Sequence, residues 1–278
     1  KFMMPSNLHF LLKYSYQTNN LEIQNFVNLS LKKMAFGGIY DQIGGGFSRY
    51  SVDNKWHIPH FEKMLYDNAQ LVSLYSDAYK ATKNELYKKV VYETIEFVNS
   101  ELKDDSGGYY SSLDADSKTT DNILEEGAFY VWTEDELKTT LNEDFTVFSS
   151  YYNINPYGYW EDGKYVLIRN EDNQKIAEKH NLSIAEIKQI IKNCNSKLIK
   201  VRSKRAKPRL DDKILTSWNG LMIKGFVDSY KAFNEPVFLE AAIKNGEFIL
   251  KNVLKKDGQL LRNYKNDKSY INGYLEDH

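Results

Sequence analysis

Two segments of the chain carry a carboxylate, a lysine and, a few positions on, an asparagine, residue types suited to acid–base chemistry and to binding polar ligands. They are HIPHFEKMLYDN at 57–68 and PRLDDKILTSWN at 208–219. If Glu62 and Asp212 face one cavity, they can serve as general acid and base in glycoside hydrolysis, which needs roughly 5 to 9.5 Å between the carboxyl groups. The alternative is that both carboxylates only complement the positive ends of helices.

A histidine is a further candidate for proton transfer. His60 can act as a general base at the rim of a cavity, or else it satisfies a buried helix start. The string of His57, His60 and Glu62 also suggests a metal site, but the proline between the histidines disrupts helical ligand spacing and no further His or Cys cluster follows. We therefore expect catalytic roles for His60, Glu62, Asp67 and Asp212, with no metal and no cofactor.

Polar and aromatic side chains nearby are candidates for substrate binding. Asn68 and Asn219 occupy matching places within helices, where asparagine has a poor propensity. Each is expected either to hydrogen-bond between adjacent inner helices or to recognise ligand hydroxyls. Trp218 is expected to offer an apolar platform for a sugar face, and Lys213 accompanies the second carboxylate.

Two loop motifs add to this set. The spaced aspartates Asp114 and Asp116 can place carboxylates over the cavity, bind a cation or cap a turn. The triple glycine at 44–46 lacks the spacing of a phosphate-binding loop. It predicts a tight β-turn that aims Arg49 and Tyr50 inward, as further substrate-binding residues.

The two segments belong to a longer internal repeat. At an offset of 151 residues (219 minus 68), Asn68 matches Asn219 and Asp77 matches Asp228. Apolar spacing predicts helices over 8–16, 23–36, 61–81, 86–102, 215–233 and 237–254. Short polar turns make consecutive helices antiparallel, so the repeated unit is a helical hairpin and the fold class is all-α. The helices over 61–81 and 215–233 are expected to be inner helices with parallel directions.

Long connections join successive hairpins at one end of the array, and their sequences predict short β-ribbons. Because long loops above a rigid scaffold often carry function, we expect the functional face at this end. Residues 133–207 are less regular, with helices from Thr133, over 145–152 and over 183–205, and a strand over 165–168. We interpret them as part of the same helical domain. The domain is expected to span residues 1–278, truncated at both ends, with apolar surface near 1–20 and 260–278.

Charge and composition exclude several classes of partner. The 37 Lys and Arg residues nearly balance the 38 Asp and Glu residues, giving a net charge of -1, so neither nucleic acid nor a membrane surface is an expected partner. No apolar run approaches the roughly 18 residues of a membrane span. The single cysteine, Cys194, permits no intrachain disulfide, and a cytoplasmic location is expected.

The runs IGGGFSRYSVDNKWHIPHFEKMLYDNAQL, LDADS, EGAFYVW and DDKILTSWNGLMI resemble the YyaL family of thioredoxin-domain-containing proteins, which includes the spermatogenesis-associated relatives. The resemblance covers essentially the whole chain. It implies a helical domain similar to the (α/α)6 toroids of N-acylglucosamine 2-epimerases and six-hairpin glycosidases. It also implies, as a partner, an N-terminal thioredoxin-like domain; because this sequence has no CxxC motif, redox chemistry is not carried over to it.

Two functional hypotheses follow. The first is a carbohydrate-active domain, a hydrolase or an epimerase, acting on a small sugar-like molecule in the toroid cavity. Paired carboxylates favour hydrolysis, because epimerisation by two facing histidines would have only His60 and His57 to draw on. The second is a non-catalytic scaffold that holds a ligand or partner for the attached redox domain.

Overall fold

Three antiparallel helical hairpins form the body of the protein. The computed structural model describes residues 1–278. The hairpins are α1 (Pro5–Gln17) with α2 (Leu21–Phe36), α3 (Leu65–Thr82) with α4 (Glu85–Glu101), and α9 (Thr216–Phe233) with α10 (Pro236–Asn252). Asparagine caps start α2 and α4, where Asn20 and Asn84 accept hydrogen bonds from the first-turn amides of Ile23 and Leu86.

The inner helices α3 and α9 run in the same direction. Tyr66 packs against Trp218 at their first turns and Tyr79 packs against Phe233 at their last turns, with ring centroids 4.8 Å apart in both pairs. Contacts in the same order along two helices require parallel axes. The expected parallel arrangement of the inner helices is therefore confirmed.

Repeated aspartates join neighbouring inner helices. Asp77 of α3 lies 2.5 Å from His9 of α1, and Asp228 of α9 accepts a hydrogen bond from Ser73 of α3. Because these aspartates are 151 residues apart (228 minus 77), the repeat places the same interhelical bond at each step. The helices α1, α3 and α9 thus form one inner layer, with α2, α4 and α10 outside. Three hairpins of this kind are half of the six in a closed (α/α)6 toroid, and the predicted all-α class is confirmed.

Short antiparallel ribbons occupy the long connections, as expected. One sheet has the order β1 (Lys63–Met64), β2 (Ser112–Leu113), β7 (Leu210–Asp211), and another has the order β10 (Lys268–Ser269), β9 (Asn263–Lys265), β8 (Ile214–Leu215). Two further ribbons are β3 (Asp116–Lys118) with β4 (Leu124–Glu126), and β5 (Trp132–Thr133) with β6 (Lys164–Tyr165). In register, Lys63 faces Leu113 and Ile214 faces Tyr264, so this strand pairing also repeats at an offset of 151 (214 minus 63).

The ribbons shorten one predicted inner helix. Residues 61–64, predicted as helix, are extended up to and through β1, and α3 begins only at Leu65. The reason is that the β1 backbone pairs with β2, and the Leu65 amide donates to the Ser111 carbonyl, so local helical periodicity is overridden by a tertiary ladder. The α9 boundary moves by a single residue.

The less regular part forms four helices around a second hydrophobic core. These are α5 (Glu134–Leu141), α6 (Phe145–Tyr152), α7 (Asn173–His180) and α8 (Ile184–Arg202), which pack around buried Phe148, Tyr152 and Leu198. Ser183 and Glu186 form a capping box at the start of α8. The predicted strand at 165–168 is wrong beyond Tyr165, because the following residues are buried without a ladder partner on β5. None of the ten helices combines the length and apolar character needed to cross a bilayer.

Candidate functional site

Four polar side chains gather at the first turn of α3. The Arg49 amide donates to the Glu62 carbonyl at 2.8 Å, which places the two side chains together. Arg49 Nη1 then lies 3.3 Å from Glu62 Oε2, and Arg49 Nε donates to Tyr66 Oη at 3.1 Å. Asp67 follows in the same turn. We call Arg49, Glu62, Tyr66 and Asp67 the rim cluster.

Asp67 is the electrostatically unusual member of the rim cluster. Asp67 is only 7% exposed, and its Oδ2 is buried without a hydrogen-bond partner. Burial, with a smaller contribution from the nearby Glu62 carboxylate, raises the pKa of this carboxyl to about 7, although Arg49 and a hydrogen bond from Tyr66 oppose the shift. A carboxyl group with such a pKa can both release and accept a proton at neutral pH.

His60 lies beside the cluster in an oriented position. Its ring stacks on Tyr50 with centroids 4.8 Å apart and an interplanar angle of 19°. Its Nδ1 is 2.7 Å from Glu126 Oε1, so the imidazole donates to a carboxylate from β4. This contact fixes the ring and directs Nε2 away from the carboxylate. His57 has a different partner, the Gly158 carbonyl at 3.3 Å, so the two histidines do not converge.

An aromatic wall connects the rim cluster with α9. Tyr66 and Trp218 pack at 58° to one another, and both line a cavity of about 570 Å³. Leu221 and Leu260 add apolar surface to this cavity, and Asp277 lies at its edge. The position of Trp218 agrees with the platform expected from the sequence.

Asp212 and Lys213 do not join this cluster. Both side chains are about half exposed; Lys265 on β9 donates to Asp212, and Lys213 pairs with Asp211 at 2.8 Å. The reason is a one-residue slip in the sequence match. The strand register aligns Lys63 with Ile214, so Glu62 aligns with Lys213 and not with Asp212. The proposed pairing of Glu62 with Asp212 is therefore not supported by the placement of either carboxylate.

Asn68 and Asn219 act on the backbone of the preceding connection. Asn68 Oδ1 accepts from the Phe47 amide at 2.7 Å, and its Nδ2 donates to the Phe47 carbonyl at 3.0 Å. Asn219 makes the same two bonds with Tyr109, at 2.8 and 3.0 Å. The second proton of each amide goes to the carbonyl four residues earlier. We call this arrangement the asparagine clasp.

The clasp corrects the expectation for both asparagines. Each is fully buried and uses both amide protons on backbone carbonyls. They are therefore not available to ligand hydroxyls. The hydrogen bonds also run to the connection preceding the helix, and not between adjacent inner helices.

A buried ion triad, absent from the sequence interpretation, lies behind the rim cluster. Asp41 accepts from Lys63 and from Arg202, each at 2.9 Å, and Lys63 also donates to the Gly45 carbonyl at 2.8 Å. Although burial opposes ionisation, the two cations hold the pKa of Asp41 well below its usual range. The triad ties the first long connection, β1 and α8 together.

The triple glycine is explained by this packing. A Cβ on Gly44 would lie 2.0 Å from the Arg202 guanidinium, and one on Gly45 would lie 2.3 Å from the Glu93 carbonyl. Gly45 also has a φ of 73°, a left-handed conformation that favours glycine. The turn is tight, as expected, because a charged side chain and the backbone of α4 pack directly on it.

The loop aspartates lie farther along the same ribbons. Asp114 Oδ2 is 3.3 Å from Arg209, and the Asp114 side chain is 38% exposed. Asp116 faces Glu126 across the ribbon of β3 and β4, which places it beside the carboxylate that holds His60.

Sequence reasoning missed Tyr66 and Glu126 as site residues. Tyr66 precedes Asp67 within HIPHFEKMLYDN, and Glu126 belongs to the EEGAFYVW text, so both lie in the most distinctive segments. The role of Glu126 depends on its contact with His60 across 66 residues of chain, and that of Tyr66 on contacts with Arg49 and Trp218; no local periodicity reveals these contacts.

The chain has relatives of greater length. No protein-family model matches it. It is 36% identical to an uncharacterised protein of Caenorhabditis elegans, over 94% of this chain and 39% of that protein. It is 33% identical to spermatogenesis-associated protein 20 of Homo sapiens, over 94% of this chain and 36% of that protein. The chain thus spans less than two fifths of the length of these curated relatives.

Solved structures with a related arrangement of helices are distant in sequence. A glycoside hydrolase family 76 mannosidase from Bacteroides thetaiotaomicron is 12% identical with a TM-score of 0.48, covering 89% of this chain and 43% of that one. A cellobiose 2-epimerase from Spirochaeta thermophila is 13% identical with a TM-score of 0.37, covering 99% and 80%. Over 94% of its residues the chain is homologous to spermatogenesis-associated protein 20, which confirms the resemblance of its motifs to the spermatogenesis-associated relatives.

Proposed function

We propose that the rim cluster is an acid–base site for a small carbohydrate, with Asp67 as the group that transfers the proton. The observation that carries the proposal is the buried Asp67 carboxyl, whose Oδ2 has no hydrogen-bond partner and whose pKa is raised to about 7 by burial. Buried polar atoms without a partner are rare, and a strongly shifted pKa beside a cavity is typical of catalytic groups.

The neighbouring side chains suit the same chemistry. Protonated Asp67 can donate to a glycosidic oxygen, while the Glu62 carboxylate, held by Arg49, acts on the opposite side of the sugar as base or nucleophile. Tyr66 and Trp218 supply apolar surface for a sugar ring. Two carboxyl groups in different environments are the arrangement that separates an acid from a base.

Hydrolysis is favoured over epimerisation. Epimerisation by proton exchange on both faces of a carbon needs two bases, and His60 is the one histidine beside the cluster. Tyr50 and Glu126 hold its ring at the edge of the site, where it can position a sugar hydroxyl.

Turnover of two substrate panels tests the proposal. Nitrophenyl glycosides report hydrolysis, and reducing mono- and disaccharides followed by NMR report epimerisation. Asp67→Asn should remove turnover with a thermal midpoint no lower than that of the wild type, because Oδ2 makes no hydrogen bond that the fold would lose. Asp211→Asn, in an exposed ion pair with Lys213, is the matched control and should retain full turnover. Turnover by Asp67→Asn at the wild-type rate would exclude Asp67 as the proton carrier.

A second candidate function is a non-catalytic scaffold. It is favoured by the asparagine clasp and by the buried ion triad, which use the polar side chains of Asn68, Asn219 and Lys63 for internal contacts. Its partner would be the thioredoxin-like domain implied by the family resemblance, in a cytoplasmic protein. No turnover and no heat of sugar binding, together with calorimetric binding of that domain, would favour the scaffold over the acid–base site.

A further inference from the structure

A second and larger cavity lies between the hairpin array and α8. Its volume is about 1130 Å³, and its walls come from α2, α4 and α8. None of the rim-cluster residues lines it, so it is separate from the proposed sugar site. The volume is enough for a ligand of cofactor size. We call it the α4–α8 cleft.

The inner end of the cleft is cationic. Lys63 and Arg202 of the ion triad line it, and their single carboxylate partner is Asp41. Lys63 is 1% exposed and Arg202 is 7% exposed, so water screens neither strongly. Two buried cations around one buried anion leave a net positive charge at this end of the cleft.

Three residues that line the cleft carry buried polar atoms without a hydrogen-bond partner. The Tyr130 hydroxyl is buried with no hydrogen-bond partner, and its ring lies 4.8 Å from Lys63 Nζ. Asn195 Oδ1 and Arg169 Nε are also buried without partners, and all three residues line the cleft. Because buried polar groups are normally satisfied, the two donors among these atoms, the Tyr130 hydroxyl and Arg169 Nε, indicate a ligand that carries hydrogen-bond acceptors.

Arg169 extends the positive potential along an aromatic wall. Its guanidinium lies between the rings of Phe36 and Tyr151, 4.2 Å from each centroid. Its only side-chain partner is the neutral Asn173, so no carboxylate neutralises it. Over the whole lining, eight Lys and Arg residues face six Asp and Glu residues, which gives an excess of two positive charges (8 minus 6).

Glu93 of α4 is one of the carboxyl groups that line the cleft. It accepts a hydrogen bond from Tyr40 at 2.6 Å and lies 3.7 Å from Lys89. Its charge is therefore already compensated at the cleft wall, and Lys207 does the same for Glu101 at 2.7 Å.

We propose that the α4–α8 cleft binds a small organic anion with an aromatic or apolar body. The anionic group accepts hydrogen bonds from Tyr130 and lies against Arg202 and Lys63, and the body lies along the aromatic wall toward Arg169. Carboxylates and phosphates share this chemistry.

Isothermal titration calorimetry with simple probes tests the proposal. Phenyl phosphate and benzoate carry the same aromatic body with different anionic groups, and phenol is their uncharged match. Binding by either anion, at least tenfold tighter than phenol, is expected, and the tighter of the two identifies the preferred group. Failure of both anions to bind at millimolar concentration, or binding of phenol with equal affinity, would overturn the proposal.

Two variants locate the binding. Tyr130→Phe removes an unpaired hydroxyl, so it should fold with an unchanged or higher thermal midpoint and weaken the bound anion about tenfold. Arg169→Gln should weaken it by a similar factor, whereas Lys175→Gln, an exposed charge on α7 outside the cleft, should not. Anion binding that neither Tyr130→Phe nor Arg169→Gln alters would place the anion elsewhere and refute the assignment. Because Asp67 is not part of the cleft, an inactive rim cluster would leave these expectations unchanged.

Discussion

Replacing Asp67 by asparagine should remove a pH-dependent loss of stability. The folded-state pKa of this carboxyl is about 7, against 3.8 in an unfolded chain. Between these values the folded protein holds a proton that the unfolded chain releases, so the free energy of unfolding falls as pH rises through the window. Each pH unit contributes about 1.4 kcal/mol. Between pH 5 and pH 8 this amounts to roughly 2.7 kcal/mol, most of it below pH 7.

Urea denaturation followed by circular dichroism at pH 5 and pH 8 measures this term. The asparagine variant lacks the titrating group, so its stability relative to the wild type should rise by roughly 2.7 kcal/mol between the two pH values. Asp53→Asn is the control of opposite sign. Although burial opposes ionisation of Asp53, the backbone amides of Ile58, Lys55 and His57 hold its pKa below the usual range. Its contribution is therefore fully present above pH 5, and its loss should be equal at both pH values. A pH-independent difference for Asp67→Asn would refute the burial argument.

Three further outcomes are expected. Asn68→Ala should lower the free energy of unfolding by about 2–4 kcal/mol, because it leaves the Phe47 amide and carbonyl buried without partners; a loss below about 0.5 kcal/mol, as expected at the exposed Asn7 of α1, would contradict the clasp. Asp41→Asn should cost about 3–5 kcal/mol in urea unfolding, since two buried cations lose their counterion, whereas a cost under 1 kcal/mol would show the triad to be solvated. The exposed apolar side chains of α1, including Phe10 at 66%, should promote association in light scattering, and Phe10→Ser should shift the population toward monomer, an effect that a monodisperse wild type would rule out.

The regular helices could be predicted from the sequence because their periodicity is local. Helices α2, α4 and α9 begin within two residues of their expected starts, and the ungapped repeat correctly predicted parallel inner helices. The ribbons were harder to place. Two-residue strands carry almost no periodic signal, and a shift of one residue reverses the side of a strand on which a side chain lies.

That reversal explains the misassigned acid–lysine match. Lys63 is buried in the ion triad, while Lys213 is half exposed on the turn before β8. The two lysines look equivalent in the amino-acid sequence, but the strand register aligns Lys63 with Ile214, one residue beyond Lys213. The site residues Glu62, Asp67 and His60 were singled out because their side chains can transfer protons, although acids are also common in the first turns of helices. The partners of buried and site residues were not predictable, because they come from distant parts of the chain. Glu126 contacts His60, and Arg202 contacts Asp41 of the ion triad.

The asparagine clasp determines which parts of the chain unfold together. Phe47 precedes the hairpin whose first helix it fixes, and Tyr109 stands in the same relation to the next, so each hairpin lends backbone groups to its successor. In such an array, the contacts between neighbouring hairpins contribute to stability in addition to the stability of each hairpin alone. Unfolding that starts at one hairpin should release the start of the following inner helix and spread in the direction of the chain. A duplicated or deleted repeat would therefore be tolerated only if its boundary includes the connection before the inner helix.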